Sequence, residues 1–126
     1  MPGESDVVLV VDDDTAVRGA LKFTLEVEGF RVRAYNGPVA LLGENNLPRF
    51  GCLVVDYRMP VIDGLELISV LRERGVTAPA LVITGRSSKD LEAQATKLGI
   101  REVLEKPLPD GALVAAVRAA MASGRE

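Results

Sequence analysis

The chain contains no histidine, and that absence removes much chemistry. Histidine is the usual general base near neutral pH and a frequent zinc ligand. Without it, Ser-His-Asp triads and His-based metal sites are excluded. Cysteine is almost as scarce. Cys52 stands alone in an apolar stretch, so no internal disulfide forms and an inert buried thiol is expected. There is no basic excess either: the net charge is −3, and Lys and Arg are scattered among acids. The electrostatic footprint of a nucleic-acid-binding surface is therefore missing. A membrane span needs ~20 consecutive apolar residues, and only short apolar runs occur. The acidic start, Met1 to Asp6, is unlike a secretion signal. A cytoplasmic protein is the expectation.

What remains is an ordinary globular composition, 126 residues with 48% hydrophobic and 26% charged. It predicts a single domain over residues 1–126, with a core from about residue 6 to about 122. The tail from Ser123 to Glu126 reads as fraying, or as the point where a longer protein was cut.

Two periods alternate along the chain. Val7 to Val11 is a continuous β-branched run, as in a strand buried on both faces. Val17, Leu21 and Leu25 then recur at helical spacing, with Asp14 placed to cap the helix and Gly29 to stop it. Phe30 to Tyr35 alternates apolar and polar, which predicts an edge strand. A short helix is expected over Val39 to Leu47, behind Gly37-Pro38. Gly51 to Val55 reads as a second central strand. Asp63 and Glu66 form a capping-box pattern before Leu67, Ile68 and Leu71, with a stop at Gly75. Ala80 to Thr84 is another strand, Leu91, Ala95 and Leu98 another helix stripe, and Glu102 to Leu104 a short strand. A last helix carries Leu113, Val114, Val117 and Met121, with Asp110 as its expected cap. Five strands alternating with five helices predict an α/β fold, a parallel sheet covered on both faces. All five helices are used by that fold, so no output domain or basic recognition helix is expected within the chain.

Ligands of open α/β sheets bind beyond the carboxyl ends of the strands. Here those ends carry Asp12 and Asp13, then Asp56, then Thr84, and finally Lys106-Pro107. Taken singly, each has an ordinary reading as a turn former, a helix cap or a surface lysine. Their convergence on one edge is what carries the argument. Clustered carboxylates repel and raise one another's pKa. A divalent cation together with Lys106 matches their charge, and oxygen ligands suit Mg²⁺. The fitting chemistry is phosphoryl transfer onto a carboxylate. Aspartate, with a reference pKa of ~3.9, is already a nucleophile at neutral pH and needs no histidine base.

At these residues the chain resembles the receiver domains of bacterial two-component response regulators. The likeness rests on Val8 to Asp13, on Val54-Val55-Asp56-Tyr57-Arg58-Met59-Pro60 with Asp63-Gly64, on Leu81-Val82-Ile83-Thr84-Gly85, and on Glu105-Lys106-Pro107. The Thr84-Gly85 and Glu105-Lys106-Pro107 segments are most similar to transcription regulators of the nitrogen-fixation and LuxR-output type. The resemblance implies a three-layer, doubly wound, flavodoxin-like (βα)5 sandwich with strand order 2-1-3-4-5. It implies that Asp56 takes a phosphoryl group from a histidine kinase or histidine phosphotransfer protein. It implies direct Mg²⁺ ligation by Asp13, Asp56 and the backbone carbonyl of Arg58, with Asp12 acting through water. Thr84 and Lys106 would stabilise the phosphoryl group, and the Lys106-Pro107 bond would be cis. The implied protein is a phosphoacceptor rather than an enzyme. A homodimer through the face of the fourth helix, fifth strand and fifth helix is the expected response.

One position departs from the family. Many receivers carry Tyr or Phe three residues before the lysine, where this chain has Val103. A valine has no ring to swing inward. Arg58 and Arg86 stand two residues beyond Asp56 and Thr84, where the family tunes acyl-phosphate lifetime. Two rival functions compete with this reading. A haloacid-dehalogenase-type phosphohydrolase would use Asp12-Asp13-Asp14-Thr15-Ala16, although Ala16 breaks its pattern and Asp56 stays unexplained. A phosphorylation-independent dimerisation module would account for Val103. A flavin-binding relative is disfavoured by three acids where a phosphate loop belongs.

Overall fold

The computed structural model describes residues 7–45, 47 and 50–124. Strands and helices alternate: β1 (Val7–Val11), α1 (Thr15–Val27), β2 (Arg31–Tyr35), α2 (Pro38–Leu42), β3 (Cys52–Asp56), α3 (Gly64–Glu73), β4 (Ala80–Thr84), α4 (Lys89–Lys97), β5 (Ile100–Glu105) and α5 (Ala112–Gly124). The strands form one parallel sheet in the order β2-β1-β3-β4-β5. β1, β3 and β4 are buried at every position. That is why their sequences run continuously apolar instead of alternating.

Alternate strand residues feed two cores. Leu9, Val11, Leu53, Val55 and Val82 pack with Leu41 of α2, Leu67, Ile68 and Leu71 of α3, and Leu91 and Ala95 of α4. Val8, Val10, Val54, Leu81 and Ile83 pack with Leu25 of α1 and with Leu113, Val114 and Val117 of α5. Each fully buried aliphatic side chain contributes ~1.5–3 kcal/mol of transfer free energy. The sheet edges are blunted by charge. Arg31 and Arg33 are exposed on β2, and Arg101, Glu102 and Glu105 on β5.

Several expectations about helix ends hold. Asp14 accepts from the Val17 amide at 3.0 Å. Asp63 and Glu66 make a reciprocal capping box. Others are corrected. α2 ends at Leu42, with Gly43 as its C-cap, instead of reaching Leu47. Asn46, within that expected span, lies outside the described residues. Gly43 and the polar Glu44 and Asn45 follow Leu42, so the apolar stripe is interrupted and the helix stops. Gly111, not Asp110, immediately precedes α5, and its carbonyl accepts the Ala115 amide. β5 is longer than the Glu102 to Leu104 core of the expectation. It carries a register shift: Ala80 pairs with Ile100 but Leu81 with Glu102, leaving Arg101 as the extra residue.

Candidate functional site

β1 lies between β2 and β3, so the chain leaves β1 and β3 at the point where strand order reverses. Asp12 follows β1 and Asp56 ends β3, on adjacent strands. One carboxylate oxygen from each of Asp12, Asp13 and Asp56 lies within 4.8 Å of the others. Asp12 is 1% exposed and Asp56 8%, while Asp13 is open to solvent.

The acids are held differently. Asp12 Oδ1 accepts from the Asp14 amide at 2.9 Å. Its Oδ2 is buried with no hydrogen-bond partner among the described residues. The Asp12 carbonyl accepts from the Arg18 guanidinium at 2.9 Å, which pins the turn into α1. Asp56 Oδ1 faces the Lys106 ammonium at 3.4 Å. Burial pushes the Asp12 carboxyl above its ordinary value, as does the Asp56 charge nearby. Burial does the same to Asp56, opposed by Lys106. A buried, partnerless carboxylate oxygen beside two other acids is a cation-binding arrangement. The oxygen-only donor set fits a hard divalent ion such as Mg²⁺.

The remaining predicted residues gather at the same edge. Thr84, 2% exposed, ends β4. Its hydroxyl donates to the Arg86 carbonyl at 3.1 Å and accepts from the Arg86 amide at 3.2 Å. It is therefore engaged with its own loop and not with Asp56. The Lys106 amide donates to the Thr84 carbonyl at 2.8 Å, and the Lys106-Pro107 peptide is cis. Arg58 and Arg86 are exposed and line one open pocket of about 300 Å³ with Tyr57, Ser87 and Asp90. Val103 pairs with Val82 and packs half-buried against the core that holds α4. The Cys52 thiol is buried and pushed up to about 12, an inert group. Asp14, which the dehalogenase pattern would need at the site, is the cap of α1 instead.

Sequence reasoning missed two supports. Arg18 gave no signal beyond a charge on a helix. Gly64 was noted only as part of a motif, yet a Cβ there would stand 2.7 Å from the Asp56 carbonyl oxygen. Only glycine lets α3 start this close to the strand that bears Asp56.

Comparison with known proteins agrees with this geometry. The family profile described as response regulator receiver domain matches residues 8–118. The transcriptional regulatory protein FixJ of Azorhizobium caulinodans is 43% identical over 123 residues, covering 98% of this chain and 58% of that protein. FixJ of Bradyrhizobium diazoefficiens is 38% identical over 114 residues, covering 90% and 56%. The chain thus spans a little over half the length of these relatives. The crystal structure of FixJ-N superposes with a TM-score of 0.84 at 32% identity, covering 97% of this chain and 96% of that one. The response regulator StyR superposes at 0.86 and 33%, covering 94% and 60%. Among the described residues no helix is long and apolar enough to cross a membrane. Fold, strand-end acids and homology converge: the chain belongs to the response regulator receiver domains of two-component signalling, with FixJ proteins among its close homologues.

Proposed function

We propose that Asp56 accepts a phosphoryl group from a phosphohistidine of a histidine kinase or histidine phosphotransfer protein. In that step the P–N bond breaks and a P–O bond to the Asp56 carboxylate forms, with the imidazole nitrogen keeping the electron pair. The observation that carries the reading is the cluster itself, three carboxylates within 4.8 Å with a partnerless buried oxygen on Asp12. Asp13 and Asp56 would hold Mg²⁺ directly, with the Arg58 carbonyl as a further ligand and Asp12 acting through water. When bound, the ion supplies neutralisation of charge on the transferring group. Lys106, already directed at Asp56, supplies the other positive charge.

Thr84 has a different role. To reach a phosphoryl oxygen its hydroxyl gives up the Arg86 carbonyl, and the loop after β4 follows. The Lys106 amide bond to Thr84 ties the same movement to the end of β5. Val103 offers no ring to follow Thr84, so the change passes through the backbone to the α4-β5-α5 face, where a second copy would dock. Arg58 and Arg86 would modulate acyl-phosphate lifetime from their shared pocket. The domain occupies residues 1–126, acts stoichiometrically instead of turning over substrate, and makes no direct nucleic-acid contact. It works in the cytoplasm, where kinases draw on ATP.

The test is labelling with acetyl phosphate, with and without Mg²⁺. The expected product is one phosphoryl group at Asp56, absent in Asp56→Asn and removed by hydroxylamine. Continuous phosphate release from an ester, with no Asp56 adduct, would instead support a hydrolase.

A further inference from the structure

An apolar hollow opens on the side of the sheet that α1 and α5 cover. Its volume is about 440 Å³, within the ~300–1,000 Å³ usual for small-molecule sites. Short side chains make the room. Ala20 and Thr24 stand on the α1 wall beside the larger Val17 and Leu21. Gly111, at φ +81°, turns the chain into α5 and puts no side chain into the gap. The opposite wall is the loop from Pro107 to Pro109. Neither proline has an amide hydrogen, so this wall presents carbon with few orphan donors. Buried Leu113 and Ile83 close the floor from α5 and β4.

The few polar groups around the hollow define what fits it. Lys106 borders it, but the Lys106 ammonium is engaged with Asp56 at 3.4 Å. Asp110 stands exposed at the rim. With the cation already matched, the charge left over is that of Asp110, and it repels an anion. No aromatic ring lines the hollow to hold an organic cation by its face. A neutral aromatic molecule of one or two rings suits both the size and the lining. Its flat faces gain dispersion contacts with the two walls, and no charge is taken out of water. The two prolines keep the loop from collapsing inward, so the hollow is preformed and the ordering cost of a guest is small.

We propose that this hollow binds a small neutral aromatic molecule and that its occupancy restrains Lys106. Lys106 links the two places because it borders the hollow and faces Asp56. A phosphoryl group on Asp56 needs the ammonium to move outward from its present place beside Oδ1. A ring packed against Lys106 and Pro107 hinders that shift, so occupancy slows phosphorylation. The restraint rests on the phosphoacceptor reading above, whereas the binding site stands without it.

Indole is the probe, with indole-2-carboxylate as its anionic counterpart. Binding is read by methyl NMR on the parent chain with no phosphodonor present. Indole is expected to shift the Leu21, Leu108 and Leu113 methyls saturably, with a Kd of ~1 mM or below. Leu67 and Leu71, on the opposite face of the sheet, are expected to stay still. The carboxylate is expected to bind at least tenfold more weakly. Ala20→Leu and Thr24→Phe change exposed positions of α1. Both are expected to melt like the parent and to weaken indole binding at least fivefold. Saturating indole is expected to slow acetyl phosphate labelling of Asp56 at least threefold in the parent. Shifts that do not saturate, shifts that reach Leu67 equally, or parental indole affinity in both variants overturn the site. Equal affinity for the carboxylate overturns the neutral class of ligand. Leu21 and Leu108 shifts that follow protein concentration without indole also overturn the site, making a second copy the occupant. Full-rate labelling at saturating indole overturns the restraint on Lys106. A parent chain that acetyl phosphate leaves unlabelled without indole refutes the phosphoacceptor reading, and the restraint with it.

Discussion

Asp12→Asn should make the metal-free protein more stable. The carboxylate oxygens of Asp12, Asp13 and Asp56 lie within 4.8 Å of one another. At that separation, an effective dielectric of ~20 gives ~3 kcal/mol of repulsion per charged pair. Lys106 offsets part of it from 3.4 Å, and Asp13 is open to water. The net relief at Asp12 is then ~1–2 kcal/mol, or a Tm increase of roughly 3–8 °C for a domain of this size. Little is lost in exchange. The amide oxygen of Asn can still accept from the Asp14 amide, and Asp12 Oδ2 has no bond to lose.

The pH dependence follows the same logic. Burial raises the folded-state pKa of Asp12 above its ordinary value of 3.8. The folded state therefore holds the proton more tightly than the unfolded chain. The destabilisation is absent below 3.8, grows as pH rises through the raised folded value, and is complete above it. Asp12→Asn should flatten that slope. Mg²⁺ should reverse the ranking, because an ion bound at 100 times its Kd stabilises by ~2.7 kcal/mol, and the variant loses a carboxylate beside it. Thermal melts followed by circular dichroism, in chelator and in Mg²⁺ across pH, read all three effects. A variant that melts at or below the parent in chelator at neutral pH, or that keeps the parental pH slope, refutes the reasoning.

Two further substitutions probe the supports of the site. Gly64→Ala places a methyl 2.7 Å from the Asp56 carbonyl oxygen and 3.1 Å from Tyr57 Cα. It should cost ~1–3 kcal/mol in urea denaturation and slow acetyl phosphate labelling, because the displaced backbone carries Asp56, the proposed acceptor; an unchanged midpoint would show that the contact is easily absorbed. Arg72→Met removes guanidinium bonds to the carbonyls of Leu98, Val76 and Ala78 at 3.1, 3.1 and 2.7 Å. A loss of ~2–4 kcal/mol is expected, with the last turn of α4 exchanging its amide hydrogens before the rest of the sheet; uniform exchange would mean that Arg72 does not anchor α4.

Features that act within a few residues were legible in the sequence. Helix caps at Asp14 and Asp63 work over i to i+3, and the unbroken apolar runs of β1, β3 and β4 reflect burial on both faces. The convergence of Asp12, Asp13, Asp56, Thr84 and Lys106 was legible too, because parallel strands all end at one edge. Features that join distant segments were not. Arg72 reaches Leu98 across 26 residues, and nothing in its neighbours announces that. α2 was overread because Val39 to Leu47 is apolar enough at its ends for a helix, whereas Gly43 and two polar residues after it end the helix at Leu42.

The amino-acid sequence by itself determined the order of elements and the set of groups at the strand ends, since periodicity and capping are local properties of the chain. Only the tertiary structure decided how those groups stand. It left Asp12 Oδ2 without a partner, turned the Thr84 hydroxyl toward Arg86, and pressed Gly64 against the Asp56 carbonyl. Each depends on the closeness of segments far apart in the chain: β1 beside β3, β4 beside β5, and α3 against the end of β3.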